Sequence, residues 1–253
     1  SALLGAGGLI PRSVRAQGAK ASSETIFSGG PILTMNDAAP TAEAVAVRDG
    51  LVVAVGSLDA VRAAAASNAQ WVHLDGRTLL PGFFDAHGHV SMVGLQARSV
   101  NLLPAPDGAG EDIPALQRLT RDWMTDNQAL WRSANLVIGF GYDDSQLKEH
   151  RHPTGRELDA ISDSVPILFV HQSGHMGSAN RAALEATGIS VSTPDPEGGV
   201  FRREEGSQQP NGVMEGTALA VVRNRLFARL DDEANRQMIV AGADFYSRFG
   251  YTT

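Results

Sequence analysis

Pro81-Gly-Phe-Phe-Asp-Ala-His-Gly-His89 is the stretch on which the reading of the whole chain turns. The Pro-Gly pair punctuates the chain, an apolar lead-in follows, and polar groups close the segment. That order predicts a buried strand delivering side chains to a site at its C-terminal end. Along a strand, residues i and i+2 share a face, so the imidazoles of His87 and His89 are expected to converge on one point as metal ligands. Asp85 has the same parity one step deeper, where a carboxylate can orient a ligating imidazole through a hydrogen bond. Gly88 removes side-chain bulk between the two histidines. The spacing by itself is weak evidence. His150-Arg-His152 repeats it inside the charged segment Lys148-Glu-His-Arg-His-Pro153, and reads there as a solvated surface loop.

Upstream of this stretch the pattern is β-rich. Glu24–Phe27 and Ile32–Met35 are expected as strands around a turn at Ser28-Gly-Gly-Pro31. Ala44–Arg48 and Leu51–Val55 flank Asp49-Gly50, a two-residue hairpin signal. A short helix over Leu58–Ala66 and strands over Trp71–Leu74 and Thr78–Leu80 complete a small unit, in which His73 reads as a strand residue without a catalytic part. Downstream, a helix is predicted over Ile113–Asp126, a strand over Leu136–Phe140 and a capping box at Thr154-Gly-Arg-Glu157. A second apolar strand covers Val165–Val170, and Ser178 is expected to cap a helix over Ala179–Thr187. Residues 190–212 read as a loop with a hairpin, followed by helices over Thr217–Arg229 and Glu233–Phe249 and the start of a strand at Tyr251-Thr-Thr253.

Composition narrows the function. The chain has 253 residues, 43% of them hydrophobic and 19% charged, which suits a globular protein with a sizeable core. The net charge of −7 is spread among interspersed charges of both signs, which leaves no electrostatic footprint for nucleic acid. With no cysteine, disulfides, thiolate metal sites and a cysteine nucleophile are excluded. No apolar run approaches the roughly 18–20 residues that span a bilayer. The run Ser1–Ile10, then Arg12, Arg15 and Ala16-Gln-Gly-Ala-Lys-Ala21, has the order of a signal-peptide apolar region and cleavage zone. Residues 1–21 are therefore expected to be a signal-peptide remnant, which implies a periplasmic or secreted protein; a disordered tail is the alternative reading.

The 81–89 stretch resembles the proline-glycine-phenylalanine-hydrophobic-aspartate-x-histidine-x-histidine signature of the amidohydrolase superfamily. Gly139-Phe-Gly-Tyr-Asp143, His152-Pro-Thr-Gly-Arg-Glu-Leu-Asp159 and Gly174-His-Met-Gly-Ser-Ala-Asn-Arg-Ala-Ala-Leu184 resemble one branch of it, amidohydrolase family 3, which contains N-substituted formamide deformylases. Thr193-Pro-Asp-Pro196, Gly198-Gly199 and Gly212-Val-Met-Glu215 fit the same branch in the same order, so the resemblance runs from about residue 24 to the last residue. It implies an α/β fold: the N-terminal portion of a TIM-type (β/α)8 barrel, preceded over 22–80 by a small β-sandwich. Residues 81–253 would be the first part of that barrel, with a large insertion over about 95–249 after its first strand. Chemistry in such barrels sits at the C-terminal ends of the strands.

The same resemblance implies metal-dependent hydrolysis of a small-molecule amide or formamide by metal-activated water. One or two divalent ions are expected, with zinc the implied metal and His87 and His89 among the ligands. The remaining ligands and the general base, an aspartate by analogy, are expected beyond Thr253, in the rest of the polypeptide or in a second chain, so these residues alone are expected to be inactive; oligomerisation is left open. His175, His171, Asp143 and Glu215 are candidates to line the pocket. Each has an ordinary alternative: local packing or hydrogen bonding for the histidines, turn capping for Asp143, a surface hairpin carboxylate for Glu215. Two competing readings stand beside the amidase. The same scaffold can host a deaminase or an esterase, and the chain can be a non-catalytic exported binding module whose histidines are structural.

The export reading is checked by N-terminal sequencing of the native protein. The expected result is a mature chain lacking about the first 20 residues; a cytoplasmic protein retaining Ser1-Ala2-Leu3 refutes it.

Overall fold

The computed structural model describes residues 24–253, so the segment read as a signal-peptide remnant lies outside the described residues. The chain divides into two compact units, with the boundary after Phe83.

In the first unit, β1 (Glu24–Leu33), β2 (Thr41–Arg48), β3 (Leu51–Gly56) and β4 (Gln70–His73) form one sheet in the order β3-β2-β1-β4. The helix α1 (Leu58–Ala64) is capped by Ser57, whose side chain accepts from the Ala60 N–H. Asp49 and Gly50 both adopt positive φ between the paired residues Arg48 and Leu51, as a tight hairpin between right-twisted strands requires. Ile26, Ala44 and Ala46 bury one sheet face against Val61 of α1. The buried Glu24 carboxylate is satisfied by Arg48 at 2.6 Å and by the Ala66 N–H at 3.2 Å.

Two expectations need correction here. Ser28-Gly-Gly-Pro31 does not separate two strands. It is a bulge within β1, across which the register with β2 slips between Ser28 and Ile32. A side chain on Gly29 would overlap the His73 ring, and one on Gly30 would overlap the Arg77 carbonyl oxygen, so the bulge is also where two pieces of backbone come close. The described residues of this unit form one sheet, covered on one face by a helix. The second correction concerns its last expected strand. Thr78–Leu80 contributes a bridge between Leu79 and Ile32 rather than a full strand.

The second unit contains α2 (Val90–Ala97), β5 (Val100–Asn101), α3 (Ile113–Asp126), α4 (Gln128–Ala134), β6 (Val137–Tyr142), α5 (Gly155–Asp159), β7 (Ile167–His171), β8 (Met176–Ala179), α6 (Arg181–Ala186), β9 (Gly199–Arg203), β10 (Pro210–Gly216), α7 (Thr217–Phe227) and α8 (Asp232–Arg248). Its sheet runs β5-β6-β7-β8-β10-β9; the first three strands are parallel and the rest join antiparallel. Both faces are covered. On β7, Leu168 and Val170 enter one core with Met214, Leu219 and Val222, while Ile167 and Phe169 enter the other with Leu116, Val137 and Tyr142. That alternation is why β7 reads as a continuous apolar run.

Neither sheet closes on itself, so no closed barrel is formed among the described residues. The segment read as a buried strand, Phe83–His89, is not one. Phe84 is 77% exposed, and Ala86 and His87 form a turn. Its place beside the chain end is nevertheless defined: the Asp85 N–H donates to the Thr253 carbonyl at 2.7 Å. A parallel strand is buried when neighbours flank it and helices cover it. Among the described residues this segment forms no continuous ladder: Phe83 is a single bridge residue, and the Asp85 N–H bonds to the chain end. Ser178 also departs from expectation. It lies within β8, and Asn180 is the helix cap, because its carboxamide serves several partners at once. Oδ1 accepts from the N–H groups of Ala183 and Ile167, and Nδ2 donates to the carbonyls of Ser162 and Val165.

The close crossing of α2 and α8 rests on two glycines. A Cβ on Gly94 would overlap the Met238 carbonyl oxygen, and one on Gly242 would overlap that of Val90. Backbone cannot yield there as a flexible side chain could. Gly94→Ala and Gly242→Ala are each expected to lower stability by about 1–3 kcal/mol or more, whereas alanine at Gly206, with open space around it but a positive φ, tests backbone strain alone. Equilibrium urea unfolding measures all three; a Gly94→Ala protein as stable as the parent would contradict the crossing.

Candidate functional sites: an exposed histidine pair and a buried polar cluster

The 81–89 stretch brings the two predicted imidazoles together. The ring centroids of His87 and His89 lie 5.0 Å apart at an interplanar angle of 76°. Both residues are exposed, and neither imidazole nitrogen is engaged in a hydrogen bond among the described residues. Their backbone, by contrast, is pinned. Asp85 Oδ1 accepts from the His87 N–H at 3.0 Å, and the Tyr246 hydroxyl, on α8, accepts from the His89 N–H at 3.2 Å. Asp85 therefore holds the turn rather than an imidazole. Gly88 is needed for the same packing: a Cβ there would sit 3.0 Å from Asp85 Oδ2 and 3.3 Å from the Tyr246 hydroxyl.

A second constellation forms where β6 and β7 end side by side. Tyr142 pairs with His171 across the two strands, and Asp143 and Asp144 follow at once. The rings of Tyr142, His152 and His171 stand nearly perpendicular to one another, with centroids 5.4 to 6.0 Å apart. His171 Nδ1 lies 2.9 Å from Ser173 Oγ and 3.1 Å from the Ser173 N–H. Its Nε2 is buried without a hydrogen bond, although Asp144 Oδ1 lies at 3.2 Å and Asp143 Oδ1 at 3.5 Å. Ligand atoms of Asp143, Asp144 and His171 all fall within 4.8 Å of one another; this is the one group of three or more such residues among the described residues.

The carboxylates are held differently. Asp143 Oδ1 accepts from the Ser145 N–H at 2.9 Å and hydroxyl at 2.8 Å, and Oδ2 accepts from Gln146 and Gln172. Burial alone would raise the Asp143 pKa; the hydrogen bonds from Gln146 and Ser145 outweigh it and bring the group down to about 2. Asp144 is partly exposed, with no such set of donors.

His152 corrects the surface-loop reading of His150-Arg-His152. His150 is exposed, but the His152 side chain is 16% exposed and its Nδ1 lies 3.0 Å from the Tyr142 hydroxyl. Burial lowers the His152 pKa against the pull of Asp144, and burial raises that of Tyr142. The segment that carries His152 is tied down by Glu157, which accepts from the Thr154 N–H at 2.7 Å and pairs with Arg151 at 2.6 Å. The other pocket candidates stay apart from the cluster's core. His175 is exposed, on a turn made by Gly174 at positive φ, and Glu215 is paired with Arg202 at 2.7 Å. His73 sits at the end of β4 against Asp75, with no catalytic partner. Sequence reasoning missed Asp144 and His152. The available signal was the doubled aspartate closing an apolar strand.

The amidohydrolase family profile matches residues 70–253, which include the histidine pair and the buried cluster. The chain belongs to the amidohydrolase family. It is 33% identical over 177 residues to the N-substituted formamide deformylase of Arthrobacter pascens, covering 70% of this chain and 31% of that protein. It is 30% identical over 234 residues to the exoenzymes regulatory protein AepA of Pectobacterium carotovorum subsp. carotovorum, covering 92% of this chain and 49% of that one. The chain thus spans between about a third and a half of the length of these two relatives. Its fold is similar to part of an uncharacterised metal-dependent hydrolase from Pyrococcus horikoshii OT3, with a TM-score of 0.68 at 21% identity, covering 91% of this chain and 42% of that structure. Both the histidine pair and the cluster at the ends of β6 and β7 lie within the stretch of this amidohydrolase chain that the family profile matches.

Glu157 gives a pH test of the segment bearing His152. Burial would raise its pKa, but hydrogen bonds from Arg151 and Thr154 prevail and hold it below the usual carboxylate value. A depressed folded-state pKa contributes stability above the unfolded pKa and loses it as pH falls through the folded value. Glu157→Gln is therefore expected to cost about 1 kcal/mol near neutrality, with the difference from the parent shrinking below about pH 4. Unfolding free energies measured from pH 7 to pH 3 decide; a gap that widens on acidification contradicts the assignment.

Proposed function

We propose that this chain carries part of the active site of a metal-dependent amidohydrolase that hydrolyses non-peptide C–N bonds of amide or formamide type. The observation that carries the reading is the His87–His89 pair. Two imidazoles with unengaged nitrogens stand edge to face, centroids 5.0 Å apart, on a backbone held from both sides, inside the stretch matched to the family. The deformylase relative favours an N-acyl or N-formyl amine as substrate.

The residues fit part of a metal site. A catalytic zinc site uses about three protein ligands, and His87 and His89 would be two of them. The proposal therefore places further ligands and the general base outside this chain, in the rest of the same polypeptide or in a second chain. A divalent cation held there supplies Lewis acidity, which polarises the carbonyl and lowers the pKa of a water toward neutrality. The chain's own contribution is positional: Asp85 and Tyr246 fix the two backbone amides, so the imidazoles start from a restricted set of orientations. Export to the periplasm or beyond is part of the same proposal and rests on the composition of Ser1–Ala21.

The test compares metal content and turnover of the full-length protein with its His87→Ala/His89→Ala variant, on a panel of N-formyl amines, N-acyl amines, esters and amino-heterocycles. The double variant is expected to lose at least one metal equivalent and more than 100-fold in amide hydrolysis, while His150→Ala keeps both. Unchanged metal content in the double variant refutes the ligand assignment. Turnover confined to esters or to deamination refutes the C–N hydrolase reading and leaves the scaffold.

A further inference from the structure

We infer that Asp143, Asp144 and His171 form a second divalent-cation site, separate from the histidine pair, of the kind that takes zinc or another borderline transition metal. The first observation is geometric. Four-coordinate zinc with bonds near 2.0–2.1 Å needs its donor atoms about 3.3 Å apart. His171 Nε2 lies 3.2 Å from Asp144 Oδ1 and 3.5 Å from Asp143 Oδ1.

The second observation is electrostatic and independent of the first. The His171 side chain is 7% exposed, and its Nε2 has no hydrogen bond, although it points at two carboxylates. The two carboxylates are the only groups among the described residues in ion-pair range of this nitrogen, and a cation between the three would satisfy all of them. Among the described residues neither Asp143 nor Asp144 pairs with a lysine or arginine; their partners are the imidazoles of His171 and, for Asp144, His152. Two adjacent carboxylates without a permanent cation are a charge-matched seat for a divalent ion.

The surroundings supply what a metal ligand needs at its far end. His171 Nδ1 accepts from the Ser173 N–H at 3.1 Å and lies 2.9 Å from Ser173 Oγ; with the Nε2 lone pair on a cation, Nδ1 would carry the proton and donate to Oγ in place of the backbone contact. Asp143 is already immobilised by Ser145, Gln146 and Gln172, as ligating carboxylates commonly are. Asp144 is partly exposed, so entry is from its side and water fills the remaining position. One nitrogen and two oxygens favour zinc, cobalt or manganese over calcium, which takes six to eight oxygens. Such an ion ties the turn after β6 to the end of β7, so its expected role is to rigidify that junction.

The proposal is tested with the full-length protein carrying His87→Ala and His89→Ala, which removes the first site from the measurement. The metal-stripped protein is titrated with Zn2+ against a chromophoric chelator, and with Co2+ followed by visible absorption. One equivalent is expected to bind, with a cobalt spectrum of low coordination number. Asp144→Asn and His171→Ala, each added to that background, are expected to weaken zinc binding at least tenfold. Asp144→Asn changes a partly exposed group, so it carries the test even where His171→Ala fails to fold. No zinc bound by the folded background protein, or binding unaltered by Asp144→Asn, overturns the site whatever the fate of the His87–His89 reading. In that event His171 holds the ends of β6 and β7 together through its contacts with the two aspartates.

Discussion

A strand covered on both faces cannot carry polar side chains along its length, because nothing there replaces the water they lose. In β6 and β7 the side chains from Val137 to Ile138 and from Ile167 to Val170 enter one apolar core or the other. Polar chemistry is thereby forced to the strand ends. There, Tyr142, Asp143 and Asp144 follow one strand, and His171 closes its parallel neighbour in register. Parallel pairing matters, since it puts both C-terminal ends on the same edge. An antiparallel pair would have sent the aspartates and the histidine to opposite edges.

The same constraint explains which parts of the structure were legible in the sequence. Val165–Val170 was readable as a strand because burial on both faces writes an unbroken apolar run. Helix α3 was readable to its bounds because Asp112 caps it and Pro114 occupies the first turn. What failed depended on partners far away in the chain. Ser28-Gly-Gly-Pro31 looks like a turn locally, and becomes a bulge because β4 and residues near Leu79 run alongside β1. His152 looks solvated from its charged neighbours; it is covered because Tyr142 and His171 arrive from β6 and β7. Ser178 was a plausible cap by residue type, but Asn180 has a second donor group that reaches Ser162 and Val165, which a serine cannot supply.

The two polar centres differ in how their environments prepare them. At the buried cluster, desolvation has already been imposed by folding, and hydrogen bonds to Asp143 keep its carboxylate ionised. Whatever occupies that cluster meets fixed donors. At the histidine pair the rings remain in water and only the backbone is constrained. Binding there must therefore supply its own desolvation, through further ligands or a substrate that covers the rings. Strong ligand binding at an exposed pair needs these additional contacts, because two solvated imidazoles retain most of their freedom.

That difference also shows how the pair depends on the core beneath it. The hydroxyl that holds the His89 amide belongs to Tyr246, which lies on α8. Helix α8 reaches that position because Gly242 and Gly94 let it lie directly against α2, and α2 begins at the residue after His89. The turn that presents the imidazoles is thus held at one side by Asp85 and at the other by a helix crossing that tolerates no side chain. A side chain at Gly94 would press on the Met238 carbonyl of the helix that carries Tyr246, and so bears on the contact that holds the His89 amide. Substitutions in this crossing should therefore shift the geometry of the pair before they unfold the sheet, since β6 and β7 draw their stability from cores on either face. The helix crossing and the Asp85 turn together hold the backbone that presents the two rings.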